Sequence, residues 1–145
     1  MHRQKGKRLS MMMHKIKLLS AGKKKAKFEN LKNWEKTVER YAPDMYDLFY
    51  GAGEKDILNK VDELRPEIVL VLPSILQRDL NDGLRLLKEI HELHPSAAIF
   101  VTLGIVDDEQ EAIDAFMAAG AYKCYAAPVI MDSLFHDMYV ALNLD

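Results

Sequence analysis

The sequence predicts a three-layer doubly wound α/β domain, with five parallel strands held between two layers of helices. Two observations carry that prediction. The first is the stretch Pro66 to Pro73, where five consecutive aliphatic residues, Ile68 to Leu72, stand between prolines. An unbroken apolar run of this length fits a strand covered on both faces, because a half-buried strand alternates apolar with polar. The second is the order of the other segments. Short apolar runs alternate with helical periodicities five times, and the connections are too short for a second domain, so right-handed crossovers close the chain into one parallel sheet. Ligands of such sheets gather beyond the carboxyl ends of the strands. Here the central run ends on Val71, Leu72, Pro73 and Ser74, with no acid, base or metal ligand among them.

Taken in order, residues 1–14 show no periodicity and read as a basic flexible tail ahead of a domain spanning 15–145. Met11, Met12 and Met13 each offer an alternative start, in which case Met1 to Ser10 is an artefact of translation. Ile16 to Leu19 reads as a first strand ended by Ser20-Ala21-Gly22. The following Gly22-Lys23-Lys24-Lys25 superficially suggests a phosphate loop, but lacks the G-x-x-x-x-G-K-[ST] spacing whose backbone amides cradle a phosphate. Phe28, Leu31, Trp34, Val38 and Tyr41 then recur at steps of three and four and predict a helix, stopped before Pro43. Met45 to Tyr50 is a second strand, closed by the turn Gly51-Ala52-Gly53. A second helix carries Ile57, Leu58, Val61 and Leu64 on its apolar face and stops at Pro66.

After the central strand, a loop from Ser74 to Asp82 leads to a helix with Leu86, Leu87, Ile90 and Leu93 facing inward. His91 and His94 on that helix lack the H-E-x-x-H pattern of a zinc site and read as two surface histidines. Ala98 to Thr102 is a fourth strand. Asp107 or Asp108 caps a fourth helix that Gly120 ends. Tyr122 to Ala126 is a fifth strand, and Asp132 caps a last helix with Leu134, Phe135, Met138 and Leu142 inward.

Composition narrows the function classes. A chain of 145 residues, 49% hydrophobic, makes one ordinary domain,. Its single cysteine, Cys124, rules out an intrachain disulfide. No apolar run approaches the roughly 20 residues of a membrane span, and the basic start lacks the apolar stretch of a signal peptide, so a cytoplasmic location is expected. The net charge of −2 conceals a division: residues 1–40 hold 13 Lys/Arg against 3 Asp/Glu, whereas residues 41–145 hold 7 against 19. A solvated acidic body behind a basic tail accounts for this, and so does a basic segment that meets an anionic partner.

Three stretches together resemble the receiver domain of two-component response regulators: Pro66 to Leu72, like that family's third strand; Asp82-Gly83-Leu84, like the start of its third helix; and Ala119-Gly120-Ala121 through Pro128, like its fifth strand and terminal proline. The resemblance runs from about Lys15 to Leu144, with a loop after Leu72 about three residues longer than usual. It implies the flavodoxin-like strand order 2-1-3-4-5 with five helices. It also implies a phosphorelay activity: a strand-three aspartate takes phosphate from a histidine kinase, Mg²⁺ is held by that aspartate and two acids after strand one, and a Thr or Ser and a Lys respond. In this chain Ser20 and Ala21 stand at the acid pair, Leu72 at the phosphoacceptor, Ala127 at the lysine and Cys124 at the aromatic switch; Thr102 alone matches.

Mg²⁺ takes several oxygen ligands, which Ser20 and Leu72 do not supply. Without a carboxylate nucleophile no acyl phosphate forms. Asp79 and Asp82 in the longer loop read as turn or cap residues, and Cys124 as a small buried side chain. The expectation is therefore a degenerate pseudo-receiver, without cofactor or catalysis, that works through a protein partner or as a homodimer. Its contact face would be the fourth helix, fifth strand and fifth helix, with Asp108, Glu111, Lys123, Tyr125 and Asp137. Residues 106–145 carry eight acids against Lys123 alone. Two rival readings belong to other classes. Lys23, Lys24, Lys25 and Lys27 with the tail would meet nucleic acid, though no aromatic residues are interleaved for stacking. A small ligand would sit at the strand ends near Ser20, Gly22, Gly51, Gly53 and Thr102.

Overall fold

The computed structural model describes residues 15–73 and 80–142. The basic tail, Ser74 and Asp79 lie outside the described residues. The elements alternate as β1 (Ile16–Gly22), α1 (Phe28–Tyr41), β2 (Tyr46–Ala52), α2 (Glu54–Leu64), β3 (Ile68–Val71), α3 (Leu80–Leu93), β4 (Ala98–Thr102), α4 (Glu109–Ala119), β5 (Lys123–Tyr125) and α5 (Met131–Ala141). All strand pairings are parallel and the sheet order is β2-β1-β3-β4-β5, the doubly wound order that the resemblance implied.

Strand alternation divides the core in two. Leu19, Ala21, Val69, Val71, Ile99 and Val101 point to one face, where Ile57 and Val61 of α2, Leu87 and Ile90 of α3 and Phe116 of α4 cover them. Leu18, Ile68, Leu70 and Phe100 point to the other, under Val38 of α1 and Leu134, Phe135 and Met138 of α5. All four residues of β3 are buried, which is the physical meaning of its unbroken apolar run.

Several elements depart from the expected bounds. β1 and β2 continue to Gly22 and Ala52, beyond the predicted ends at Leu19 and Tyr50, because the two strands pair without a break from Ile16–Tyr46 to Gly22–Ala52. The glycines in that extension admit close neighbours. A Cβ at Gly22 would overlap the Tyr50 hydroxyl, and one at Gly51 would stand 2.9 Å from Ile57. Gly51 thus serves the packing of α2 on β2, and Gly53, at φ 87°, forms the turn into α2. Asp108 caps α4 by accepting the Glu111 N–H, and Gly120 ends it at φ 119°. Asp132 does not cap α5; the cap position is Ile130 and Asp132 falls in the first turn, where its charge still favours the helix N-terminus.

The two histidines also differ from expectation. His91 is exposed, but His94 is buried and its Nε2–H donates to the Pro66 carbonyl at 2.9 Å. His94 lies just past the last turn of α3, under the β3 approach, so a buried carbonyl is satisfied there. The apolar stripe of α1 is covered only in part. Val38 is its one buried residue, while Phe28 is 72% exposed and Trp34 and Leu31 are half-buried.

Candidate functional site

The strand ends on the α1 side of the sheet gather Ser20, Leu72 and Thr102. β1, β3 and β4 lie side by side, with Ser20 opposite Leu70 and Leu70 opposite Phe100 in register. The ladder runs one step further, since the Leu72 N–H donates to the Ala21 carbonyl at 2.9 Å. Ser20 and Thr102 are both buried, at 4% and 5% exposure. Their hydroxyls fare differently. Thr102 Oγ1 donates to the Val71 carbonyl at 2.9 Å, which ties the end of β4 to the end of β3. Ser20 Oγ has no partner among the described residues. Leu72 is half-buried and packs against the α1–α5 core.

The side chains at these positions offer little to a divalent cation. Ser20 offers one neutral oxygen, and Ala21 and Leu72 offer none, against the several oxygens that Mg²⁺ takes. Among the described residues no group of three or more His, Cys, Asp or Glu is placed to hold a metal. Acids near the strand ends are engaged elsewhere. Asp56 accepts the Ala52 N–H at 2.9 Å and the Lys60 ammonium at 3.1 Å, which hold its carboxyl below the usual range, the backbone bond most of all. Asp82 pairs with Arg85 at 3.2 Å. Cys124 is half-buried on the opposite core, and burial pushes its thiol up to about 11, away from nucleophilic chemistry at neutral pH,. Ala127 is exposed, ahead of a cis bond to Pro128.

A feature that sequence reasoning missed stands beside these residues. Between the first half of α1 and the ends of β1 and β3 lies a cavity of about 560 Å³. Ser20, Leu70 and Leu72 form its floor, Leu31 and Trp34 its α1 wall, and the lysine-rich β1–α1 loop its mouth. The loop is held by the Tyr50 hydroxyl, which donates to the Lys24 carbonyl. Trp34 Nε1, like Ser20 Oγ, is buried without a partner among the described residues. The clue in the sequence was the closeness of Lys23, Lys24, Lys25 and Lys27 to a helix whose stripe carries Trp34. Its link to Ser20 depends on the angle at which α1 lies, which periodicity does not give.

The expected contact residues separate into two groups. Tyr125 donates its hydroxyl to Asp137 at 2.7 Å, and Lys123 approaches the same carboxylate at 3.5 Å, so these three bind β5 to α5. Burial and the Asp137 carboxylate both push the Tyr125 phenol up. Asp108 and Glu111 are exposed at the start of α4, with Asp108 engaged in its cap. In the same part of the chain Ile105, Met117, Tyr122, Ile130 and Val140 are all exposed.

No family model matches the chain. No curated protein matches it either. Solved structures do. A response-regulator receiver domain protein from Clostridium thermocellum is 18% identical, covering 88% of this chain and 94% of its own, at TM-score 0.69. A CheY-like receiver domain protein from Methanospirillum hungatei is 18% identical, covering 90% and 95%, at TM-score 0.70. The signal receiver domain of a DNA-binding response regulator from Colwellia psychrerythraea is 15% identical, covering 88% and 98%, at TM-score 0.67. At such identities the likeness establishes the fold, which is that of receiver domains. Among the described residues no helix is long and apolar enough to cross a membrane.

Proposed function

We propose that this chain is a pseudo-receiver: a receiver-fold protein that is neither phosphorylated nor catalytic and acts as a protein-interaction module in signal transduction or transcription regulation. One observation carries the reading. The end of β3 presents Leu72, half-buried and packed against the apolar core, where a receiver of the resembled family presents its phosphoacceptor. Ser20, Ala21 and Ala127 repeat the same loss at the acid pair and the lysine. Thr102, the one matching residue, spends its hydroxyl on the Val71 carbonyl.

The contact face that best supports a partner is α4–β5–α5. Of the eight large hydrophobic side chains exposed among the described residues, five lie on this third of the chain. The same part of the sequence is strongly acidic, with eight acids against one lysine over residues 106–145. Exposed apolar groups rimmed by charge mark interaction sites. Like charges opposed across a two-fold interface repel, so this surface favours a partner with basic residues over a second copy of itself.

The test of inertness is an amide NMR titration. Acetyl phosphate or beryllofluoride with Mg²⁺ should leave the spectrum unchanged. Clustered shifts around Leu72, Thr102 and Cys124 would overturn the proposal.

A further inference from the structure

We infer that the cavity under the first half of α1 is a binding site for a small organic carboxylate with an apolar or aromatic body. Four observations converge on it. The first is the pair of orphaned polar atoms. Ser20 is nine-tenths buried or more, and both its Oγ and Trp34 Nε1 lack a partner. Folded proteins rarely leave such atoms unpaired, because their desolvation goes uncompensated. Both residues line the same cavity. An indole N–H only donates and a serine hydroxyl does either, so the missing group is a hydrogen-bond acceptor lying near both.

The second observation is the wall. Leu31, Leu70, Leu72 and the Trp34 ring make it predominantly apolar, which selects a body of carbon. The third is the mouth, where Lys23, Lys24, Lys25 and Lys27 bring four cations within five residues. Lys24, Lys25 and Lys27 have no carboxylate partner among the described residues. Cations at the rim of an apolar cleft focus a positive field on its entrance. The fourth is size: about 560 Å³ falls within the range of small-molecule sites,. An apolar interior, acceptor-seeking groups and a cationic rim together describe an amphipathic anion. A bare phosphate or a nucleic-acid backbone uses the lysines and leaves the interior unmatched. The inference rests on the cavity and is independent of the contact face and of the loss of phosphorylation.

Trp34 is the only tryptophan, so its emission reports the site directly. The full chain would be titrated with octanoate and with 4-phenylbutyrate, and separately with octan-1-ol and inorganic phosphate, with calorimetry alongside. The expected result is a saturable change in Trp34 emission with at least one acid, at least tenfold weaker for the alcohol, and no displacement by phosphate at equal concentration. Ser20→Ala should weaken the acid about three- to tenfold, the value of one hydrogen bond. The surface double variant Lys25→Gln/Lys27→Gln should weaken it and flatten its salt dependence. Absence of saturable binding for both acids overturns the inference. So does equal affinity for the alcohol, displacement by phosphate, or full affinity retained in both variants.

Discussion

Ser20 and Thr102 offer a matched test of what an unpaired hydroxyl costs this fold. Both lie at strand ends on the α1 side of the sheet, both are at or below 5% exposure, and each carries one hydroxyl. One hydroxyl is bonded to the Val71 carbonyl at 2.9 Å and the other to nothing. Ser20→Ala removes a buried polar atom whose desolvation, roughly 1–3 kcal/mol, nothing repays. Against this stand a few tenths of a kcal/mol in strand preference. The variant should therefore be more stable than the parent by about 1 kcal/mol. Thr102→Val keeps the shape but removes a made bond and takes the side-chain donor from a buried carbonyl. It should be less stable by about 1–2 kcal/mol.

The opposite signs are the substance of the prediction. Urea melts at constant slope would measure them, and thermal melts should separate the two variants by roughly 3–5 °C per kcal/mol at this chain length. Destabilisation of Ser20→Ala to the same degree as Thr102→Val would refute the reasoning. It would mean that the Ser20 hydroxyl is satisfied in solution, as by a bridging water in the adjoining cavity. Where Ser20→Ala shows the expected advantage, a saturating carboxylate should shrink it, since only the parent gains the bond to the ligand.

Three further outcomes follow from the site and its surroundings. Leu72→Asp puts an unpaired charge at a half-buried strand end and should cost about 1–3 kcal/mol; millimolar Mg²⁺ should not recover it in denaturant melts, and recovery would show that the strand ends still hold a metal. Burial chiefly raises the titration points of Tyr46, Tyr125 and Cys124 above their ordinary values of 10.0, 10.0 and 9.0. Each favours its protonated form in the fold, so this stability is full below about pH 9 and is lost as pH rises through the folded values; a urea midpoint flat above pH 9, or Cys124 alkylated at pH 7 as fast as in the unfolded chain, would contradict it. Tyr125→Phe removes the 2.7 Å bond to Asp137 and should cost about 1 kcal/mol in the same melts, with no loss expected if β5 and α5 are held by packing alone.

The sheet was legible because its signal is local. Ile68 to Leu72 declares a two-sided strand by composition, and the helix stops at Gly120 and Pro66 need only their own turn. What escaped depends on pairs of distant residues. β1 and β2 run on through Ser20, Gly22 and Gly51 because each strand supplies the other's ladder, whatever the local preference. His94 resembles a surface histidine until the Pro66 carbonyl, 28 residues earlier, is placed against it. The position of Thr102 at the end of β4 was legible, and the structure adds that its hydroxyl donates to the Val71 carbonyl. The cavity was not legible. It depends on a helix stripe being only partly used, whereas periodicity assigns every member of a stripe to the core.

The reason for that partial use lies in how side-chain size falls along α1. From its midpoint on it carries Trp34, Val38 and Tyr41, and all three meet the α5 side of the core. Tyr41 stacks on Phe135 with centroids 5.0 Å apart, and Trp34 lies 5.9 Å from the same ring. Val38 is buried between them. Ahead of Trp34 the helix offers Leu31 to the sheet side, since Phe28 turns outward. Dispersion attraction scales with the number of close contacts, so one end of α1 is anchored to α5 and the other is not. Beneath the unanchored end β1 places Ser20, one of the smallest side chains available, where a larger apolar group would have filled the gap. A charged group there would have drawn a counter-ion or water. A small neutral residue leaves room and one unmet hydrogen bond. The cavity is thus a consequence of two local choices, the sparse start of α1 and the serine below it, and both place apolar space beside Lys24, Lys25 and Lys27, which have no carboxylate partner among the described residues.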